Sequence, residues 1–101
     1  MNLSMINQAR QLKARLDETQ KELARTEVVA DAGKGAVKVT VNGHQKIVAV
    51  EISPDVIDRE KPQHLEQLLL KAIRDGQAKA EKEAAKRMKG LTGGLKIPGL
   101  F

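Results

Sequence analysis

Four lysines in the last quarter of the chain are spaced three, four and three residues apart: Lys79, Lys82, Lys86 and Lys89. In a helix these spacings place the residues on one face. Such a row of ammonium groups can lie along a phosphate backbone, where counterion release supplies most of the sequence-independent affinity. A lysine row is also typical of a solvated helix face that only confers solubility. Taken alone, the spacing favours the solvated face.

A second basic group, formed by Arg10, Lys13 and Arg15, lies near the start of the chain. No acidic residue interrupts the group, and Asp17 comes only after it. The three side chains could form a second patch that contacts an anionic partner. They could equally flank the seam of a coiled coil, solvated or paired with a neighbouring helix. The sequence leaves both interpretations open.

The residues needed for catalysis, metal binding or cofactor binding are missing. The chain has no cysteine, and its two histidines, His44 and His64, have no ligand-type neighbour at a suitable spacing. The only serines, Ser4 and Ser53, do not lie in a nucleophile motif, and the glycines do not form a phosphate-binding loop that leads into a helix. The sequence therefore predicts a protein that is not an enzyme and takes no metal, cofactor or small-molecule substrate.

The composition limits the class of partner. The 101 residues carry a formal charge of +5, which favours a polyanion. Tryptophan and tyrosine are absent and the single phenylalanine is Phe101, so aromatic platforms for stacking single-stranded bases are lacking and duplex DNA fits better. No apolar stretch approaches the length of a membrane span, which predicts an intracellular protein. Binding to a membrane surface is a poor match because the apolar stripe of the basic helix consists mainly of alanine and glycine.

A heptad pattern predicts one long helix over residues 3–26. Apolar residues and threonines alternate at spacings of four and three, as in a coiled-coil seam. No glycine or proline interrupts the pattern. The seam consists of Met5, Ala9, Leu12, Leu16, Thr19, Leu23 and Thr26.

The next segment alternates with a period of two, which predicts β-strands. Residues 37–41 and 48–52 flank Asn42-Gly43, a dipeptide typical of a two-residue type I′ hairpin. Such a turn would pair Val37 with Val48 and place the valines of the first strand on the same face as Val48, Val50 and Ile52. Residues 28–30 could add a short third strand.

A second long helix is predicted from Pro62 to Lys89, after a short helical turn that begins at Ser53-Pro54. Gly76 lies on its apolar stripe, where a close approach of another backbone would justify the loss of helix propensity. The order of elements predicts an α+β fold with a three-stranded antiparallel sheet or a two-stranded hairpin. Residues 1–89 would form a single domain, and residues 90–101 a flexible tail.

The predicted helices are longer than the predicted strands. The seam of the first helix extends over about 32 Å at 1.5 Å per residue, whereas a seven-residue strand extends over only about 23 Å. The helices must therefore extend past the sheet, and their apolar seams need another partner. A second copy of the chain would provide one, so the sequence favours a dimer.

Four segments of the chain are distinctive by their order and spacing. They are Gly35-Ala36-Val37-Lys38-Val39-Thr40-Val41-Asn42-Gly43, Val50-Glu51-Ile52-Ser53-Pro54, residues 65–75, and Leu91-Thr92-Gly93-Gly94-Leu95-Lys96-Ile97-Pro98-Gly99-Leu100-Phe101. Together they resemble the YbaB/EbfC family of bacterial nucleoid-associated proteins, and the similarity extends over nearly the whole chain.

The resemblance implies an intertwined homodimer shaped like tweezers, with central sheets and helical prongs. It also implies binding of double-stranded DNA with little sequence preference and a cytoplasmic location on the nucleoid. With this resemblance, the lysine row is interpreted as a DNA-binding face, together with Arg10, Lys13 and Arg15. Lys71, Arg74 and Gly76 depart from the family pattern. An alternative interpretation is therefore a protein-interaction module that uses the long helices as a docking surface.

Overall fold

The computed structural model describes residues 2–92, with side chains described for residues 2–90. The helices are α1 (Leu3–Arg25) and α2 (Pro62–Thr92). Between them lie the strands β1 (Glu27–Ala32), β2 (Val37–Asn42) and β3 (Ile47–Ile52), and a 3-10 turn over Pro54–Val56. The strands form one antiparallel sheet in the order β1-β2-β3. The predicted α+β fold is thus confirmed, with three strands.

The ends of α1 follow from local chemistry. The Asn2 side chain accepts a hydrogen bond from the backbone N–H of Met5 at 2.8 Å, which satisfies one of the free donors of the first turn. At the other end, the backbone N–H and the hydroxyl of Thr26 both donate to the carbonyl of Glu22. The helix therefore ends at Arg25 and the chain turns directly into β1.

The core lies between α2 and one face of the sheet, called the inner face below. Val37, Val39 and Val41 of β2 are completely buried, and alanines of α2 pack against them. The small alanine side chains let the helix approach the sheet closely, while β-branched valines suit the strand. The helix packs on β1 and β2. The inner face of β3 is left uncovered.

The predicted register of the β2–β3 hairpin is wrong. Val37 pairs with Ile52 instead of Val48, and an irregularity leaves Val48 out of the ladder. The turn extends over residues 43–46, and Gln45 takes the left-handed conformation, with φ of 64°. Gly43 does not have a positive φ, and its backbone instead contacts α1.

The sequence predicted that another backbone would approach Gly76 closely. In the structure, side chains of the sheet approach it instead. A Cβ built at Gly76 would lie 2.8 Å from Cγ2 of Val41 and 3.5 Å from Cβ of Ala30. Because Val41 is fully buried and β-branched, it has little room to move.

Replacing Gly76 with alanine is expected to lower the free energy of unfolding by roughly 1–2 kcal/mol, since overpacking outweighs the gain in helix propensity. Gly90 is a matched control in the same helix, because a Cβ there would meet nothing within 4 Å. Gly90→Ala should be neutral or stabilising by up to about 1 kcal/mol. Urea unfolding of both variants measures the difference. Equal effects of the two substitutions would contradict the close contact at Gly76.

The second helix continues three residues past its predicted end at Lys89. The first residues of the predicted tail, 90–92, are therefore helical, and the rest of that tail, residues 93–101, lies outside the described residues. The protein is elongated, with a longest dimension of 69 Å. As predicted, the helices are longer than the strands they flank.

Candidate nucleic-acid interface

The two helices form an arm that projects beyond the sheet. The C-terminal end of α1 meets the tip of the β2–β3 hairpin, and α2 leaves the sheet beside it. Arg87 of α2 bridges the helices, with Nη1 3.6 Å from Glu22 of α1 and Nε 3.4 Å from Glu83. Thr19 and Leu23 are buried in this contact region. Nineteen residues of α1 precede Glu22, about 28 Å of helix, whereas only residues 88–92 of α2 follow Arg87. From this ion pair onward, α1 therefore extends past the described end of α2.

The four predicted lysines lie on one side of α2, and their environments differ. Lys82, Lys86 and Lys89 are exposed on the part of the helix that has left the sheet. Lys79 is also exposed, but its ammonium donates a hydrogen bond to the backbone carbonyl of Val29 at 2.9 Å. It therefore places a positive charge on the edge strand β1, which discourages pairing with another strand. The lysine face is defined below as Lys82, Lys86 and Lys89.

The acidic residue between Lys82 and Lys86 is engaged with another side chain. Glu83 points toward Arg87, in the contact between the helices. Closer to the start of α2, by contrast, Lys71 donates a hydrogen bond to Asp75, and this bond raises the pKa of the lysine above its usual value. Near the start of α2, one basic charge is therefore compensated by an acid of the same helix.

The predicted group on α1 is split by the helix geometry. Arg10, Lys13 and Arg15 are all exposed. Arg10 and Lys13 are three residues apart and lie side by side, whereas Arg15 follows Lys13 by two residues and faces another direction. Only Arg10 and Lys13 can therefore contact the same strand of phosphates together.

The outer face of the sheet, opposite α2, is not basic. The register aligns Lys38 of β2 with Asp31 of β1 and Glu51 of β3, so this lysine charge is flanked by two acids. This arrangement of opposite charges stabilises the sheet. It offers no surface attractive to an anion.

Residues 2–92 do not place three or more potential metal ligands of the His, Cys, Asp or Glu type together. His44 instead contacts the backbone of α1 through Nε2, which lies 3.0 Å from the carbonyl oxygen of Gln20. Within the same residues, neither long helix contains an apolar stretch that could cross a membrane.

The roles of two positioning residues of the arm could not be recognised from the sequence. Arg87 lies at an apolar position of the helical stripe, and that misplaced charge was the only indication of its ion pairs with the other helix. Gly43 was interpreted as a turn residue, although its backbone contacts α1. A contact between segments twenty residues apart leaves no pattern in one sequence.

Known proteins resemble this chain in sequence or in fold. The model of the YbaB/EbfC DNA-binding family matches residues 1–95. A nucleoid-associated protein of Thermoanaerobacter pseudethanolicus is 43% identical over 98 residues, which cover 97% of this chain and 88% of the relative. One from Chloroflexus aurantiacus is 43% identical over 97 residues, covering 96% and 95% of the two chains.

A solved structure supports the fold independently. The crystal structure of an uncharacterized protein from Helicobacter pylori matches with a TM-score of 0.79 at 20% identity. The match covers 92% of this chain and 99% of the other. At this identity the likeness supports the arrangement of helices and strands and nothing further. The family match and the sequence relatives show that this chain belongs to the YbaB/EbfC DNA-binding family.

Proposed function

We propose that this protein binds duplex DNA with little sequence preference, acts as a homodimer and resides on the nucleoid in the cytoplasm. The observation that carries the proposal is the lysine face on the projecting end of α2, where Lys82 and Lys86 are exposed and the neighbouring Glu83 is engaged with Arg87. Similar proteins are named nucleoid-associated, which supports the location.

The chemistry of the lysine face favours the phosphate backbone over the bases. Ammonium groups are compact point charges that attract phosphates without distinguishing sequence. The arm has no tryptophan or tyrosine on which a single-stranded base could stack. Duplex DNA presents phosphates at a higher charge density than a single strand and should be preferred.

The uncovered side of the sheet supports a homodimer. Ile47, Val48 and Val50 of β3 are 42%, 49% and 45% exposed, a high exposure for three large aliphatic side chains on one short strand. The two edge strands differ in charge. The Lys79 ammonium binds the backbone of β1, whereas the exposed side chains of β3 named above are aliphatic. A second copy that docks on β3 would remove this surface from water.

The neighbouring flank of α2 extends the apolar surface. Leu70, Ile73 and Gln77 share one side of the helix, and the Gln77 amide donates to the carbonyl of Gln45 in the β2–β3 turn at 3.5 Å. This side of α2 therefore faces the β3 edge. Because Leu70 is 48% exposed, the helix flank and β3 together offer one apolar surface to a partner subunit.

The alternative of a protein-interaction module was suggested by three residues that depart from the family pattern. Two of them make contacts within the chain. Gly76 packs against the sheet, and Lys71 is bonded to Asp75. Neither is available as a distinctive docking residue. Arg74 is exposed, but a single arginine does not define a surface.

Competition binding distinguishes the two functions. We expect AT-rich and GC-rich duplexes of equal length to displace a labelled duplex within about threefold of each other, because phosphates carry no sequence information. A single strand of the same length should compete less well. Pull-down from cell extract, with and without nuclease, tests the alternative. Capture of one protein that persists after nuclease treatment, together with negligible duplex affinity, would overturn the proposal.

A further inference from the structure

The tip of the β2–β3 hairpin binds the last turn of α1 through its backbone. The N–H of Gly43 donates to the carbonyl of Leu23 at 2.8 Å and to that of Thr26 at 3.0 Å. The last carbonyls of a helix have no partner within the helix, and here the hairpin supplies one. The turn is thus a tertiary cap for α1.

Gly43 can make this contact only because it lacks a side chain. A Cβ at this position would lie 2.6 Å from the carbonyl oxygen of Leu23 and 2.9 Å from its Cα. Both atoms belong to the backbone of α1, so a side chain could be accommodated only by moving the helix. The closeness of the two backbones therefore fixes the position of the end of α1 relative to the sheet.

His44 makes a second contact, one turn further along α1. Because a carbonyl oxygen can only accept, Nε2 of His44 donates to the carbonyl of Gln20, at 3.0 Å. Asn42 is a residue only 7% exposed, and its side chain holds the turn in shape. Its Oδ1 accepts hydrogen bonds from the backbone N–H groups of His44 at 2.9 Å and Lys46 at 3.1 Å.

Two contacts spaced along the helix axis restrict the direction of α1 more than one contact would, and they add to the ion pair between Glu22 and Arg87 of α2. The helix from Gln20 to Leu3 is a lever about 26 Å long. A rotation of about 10° at the hairpin would displace its far end by roughly 4–5 Å, more than the rise of about 3.4 Å per phosphate of one strand along the duplex axis. The basic side chains Arg10 and Lys13 lie on this lever.

We propose that the β2–β3 turn sets the direction in which α1 projects, with Gly43 and His44 as positioning residues for DNA binding. The effect of the turn on DNA affinity rests on the proposed function. The effect of the turn on the direction of α1 is independent of that function. His44 acts through Gln20, and its own contact with DNA is not required.

The absence of cysteine makes the direction of α1 directly measurable. Spin labels at two exposed sites, Ala14→Cys on α1 and Lys38→Cys on β2, report the distance between the helix and the sheet. Diluting the labelled protein with unlabelled protein restricts the measurement to distances within one subunit. The variants His44→Ala, His44→Gln and Gly43→Ala are then compared, and the glutamine amide of His44→Gln can replace the Nε2 donor.

We expect a narrow distance distribution for the parent protein and for His44→Gln, and a broadened or displaced one for His44→Ala. Gly43→Ala should displace it further. Duplex affinity should fall by about two- to tenfold in His44→Ala, the range for one lost hydrogen bond, and be restored in His44→Gln. Unchanged distances in His44→Ala would overturn the inference even if Gly43→Ala fails to fold. If the parent protein does not bind DNA, the proposed function fails while the distances still decide whether the turn directs α1.

Discussion

Reversing the three charges of the lysine face should weaken duplex binding by about a hundredfold or more. The variant carries Lys82→Glu, Lys86→Glu and Lys89→Glu, which replaces attraction to phosphates with repulsion along the projecting end of α2. Fluorescence anisotropy with a labelled duplex at fixed salt measures the change. Because these residues are exposed, thermal stability and oligomeric state should change little.

A matched control separates position from net charge. Lys34→Glu, Arg59→Glu and Lys61→Glu make the same charge change at exposed sites in the β1–β2 turn and in the connection before α2. This variant should lose much less affinity, since only the long-range attraction is reduced. Equal losses in the two triple variants would mean that affinity depends on net charge and that the lysine face is not the contact surface.

Replacing Val50 with lysine should convert the proposed dimer to monomers at micromolar concentration. In a dimer that buries β3, an ammonium group at this position would be removed from water without a partner, and we expect association to weaken by at least about a hundredfold. Sedimentation equilibrium measures the dissociation constant. The isolated subunit should remain folded because Val50 is exposed within it. DNA affinity should fall as well, since each monomer presents one arm.

Val29→Lys is the control for the interface. Val29 is as exposed as the residues of β3, at 49%, but lies on the opposite edge strand. Its substitution should leave the dimer intact. If Val29→Lys were monomeric and Val50→Lys dimeric, the interface would lie at β1, and the proposed interface at β3 would be wrong.

The secondary structure could be predicted from the sequence because local patterns determine it. The uninterrupted heptads of α1 and the alternating valines of β2 each favour one conformation, and the structure follows both. The buried face of β2 also followed from its period of two. These features depend only on residues close together in the chain.

The hairpin register could not be predicted, because a distant contact determines it. Asn42-Gly43 is a strong local indication of a two-residue turn. In the fold, Gly43 is required at the end of α1 and Gln45 adopts the positive φ instead. The turn lengthens, and the pairing of β3 shifts with it. Turn propensity was overridden by a backbone contact between segments that the sequence does not connect.

The candidate interface could be predicted only in part, because part of it also depends on contacts between distant segments. The lysine spacing identifies a helix face, and the structure confirms that the four residues lie on one helix. The contact of Lys79 with Val29 is a tertiary feature, as is the engagement of Glu83 with Arg87. Both depend on how α2 packs, which the helical period does not encode.

The salt dependence of duplex binding tests the central claim most directly. Three lysines on each of the two arms of the proposed dimer would give about six phosphate contacts, and a slope of log K against log salt concentration near −5 follows at about −0.9 per contact. The measurement uses the parent protein and one labelled duplex at several salt concentrations. We expect a steep linear decrease. A slope shallower than about −1 would contradict binding through the lysine face.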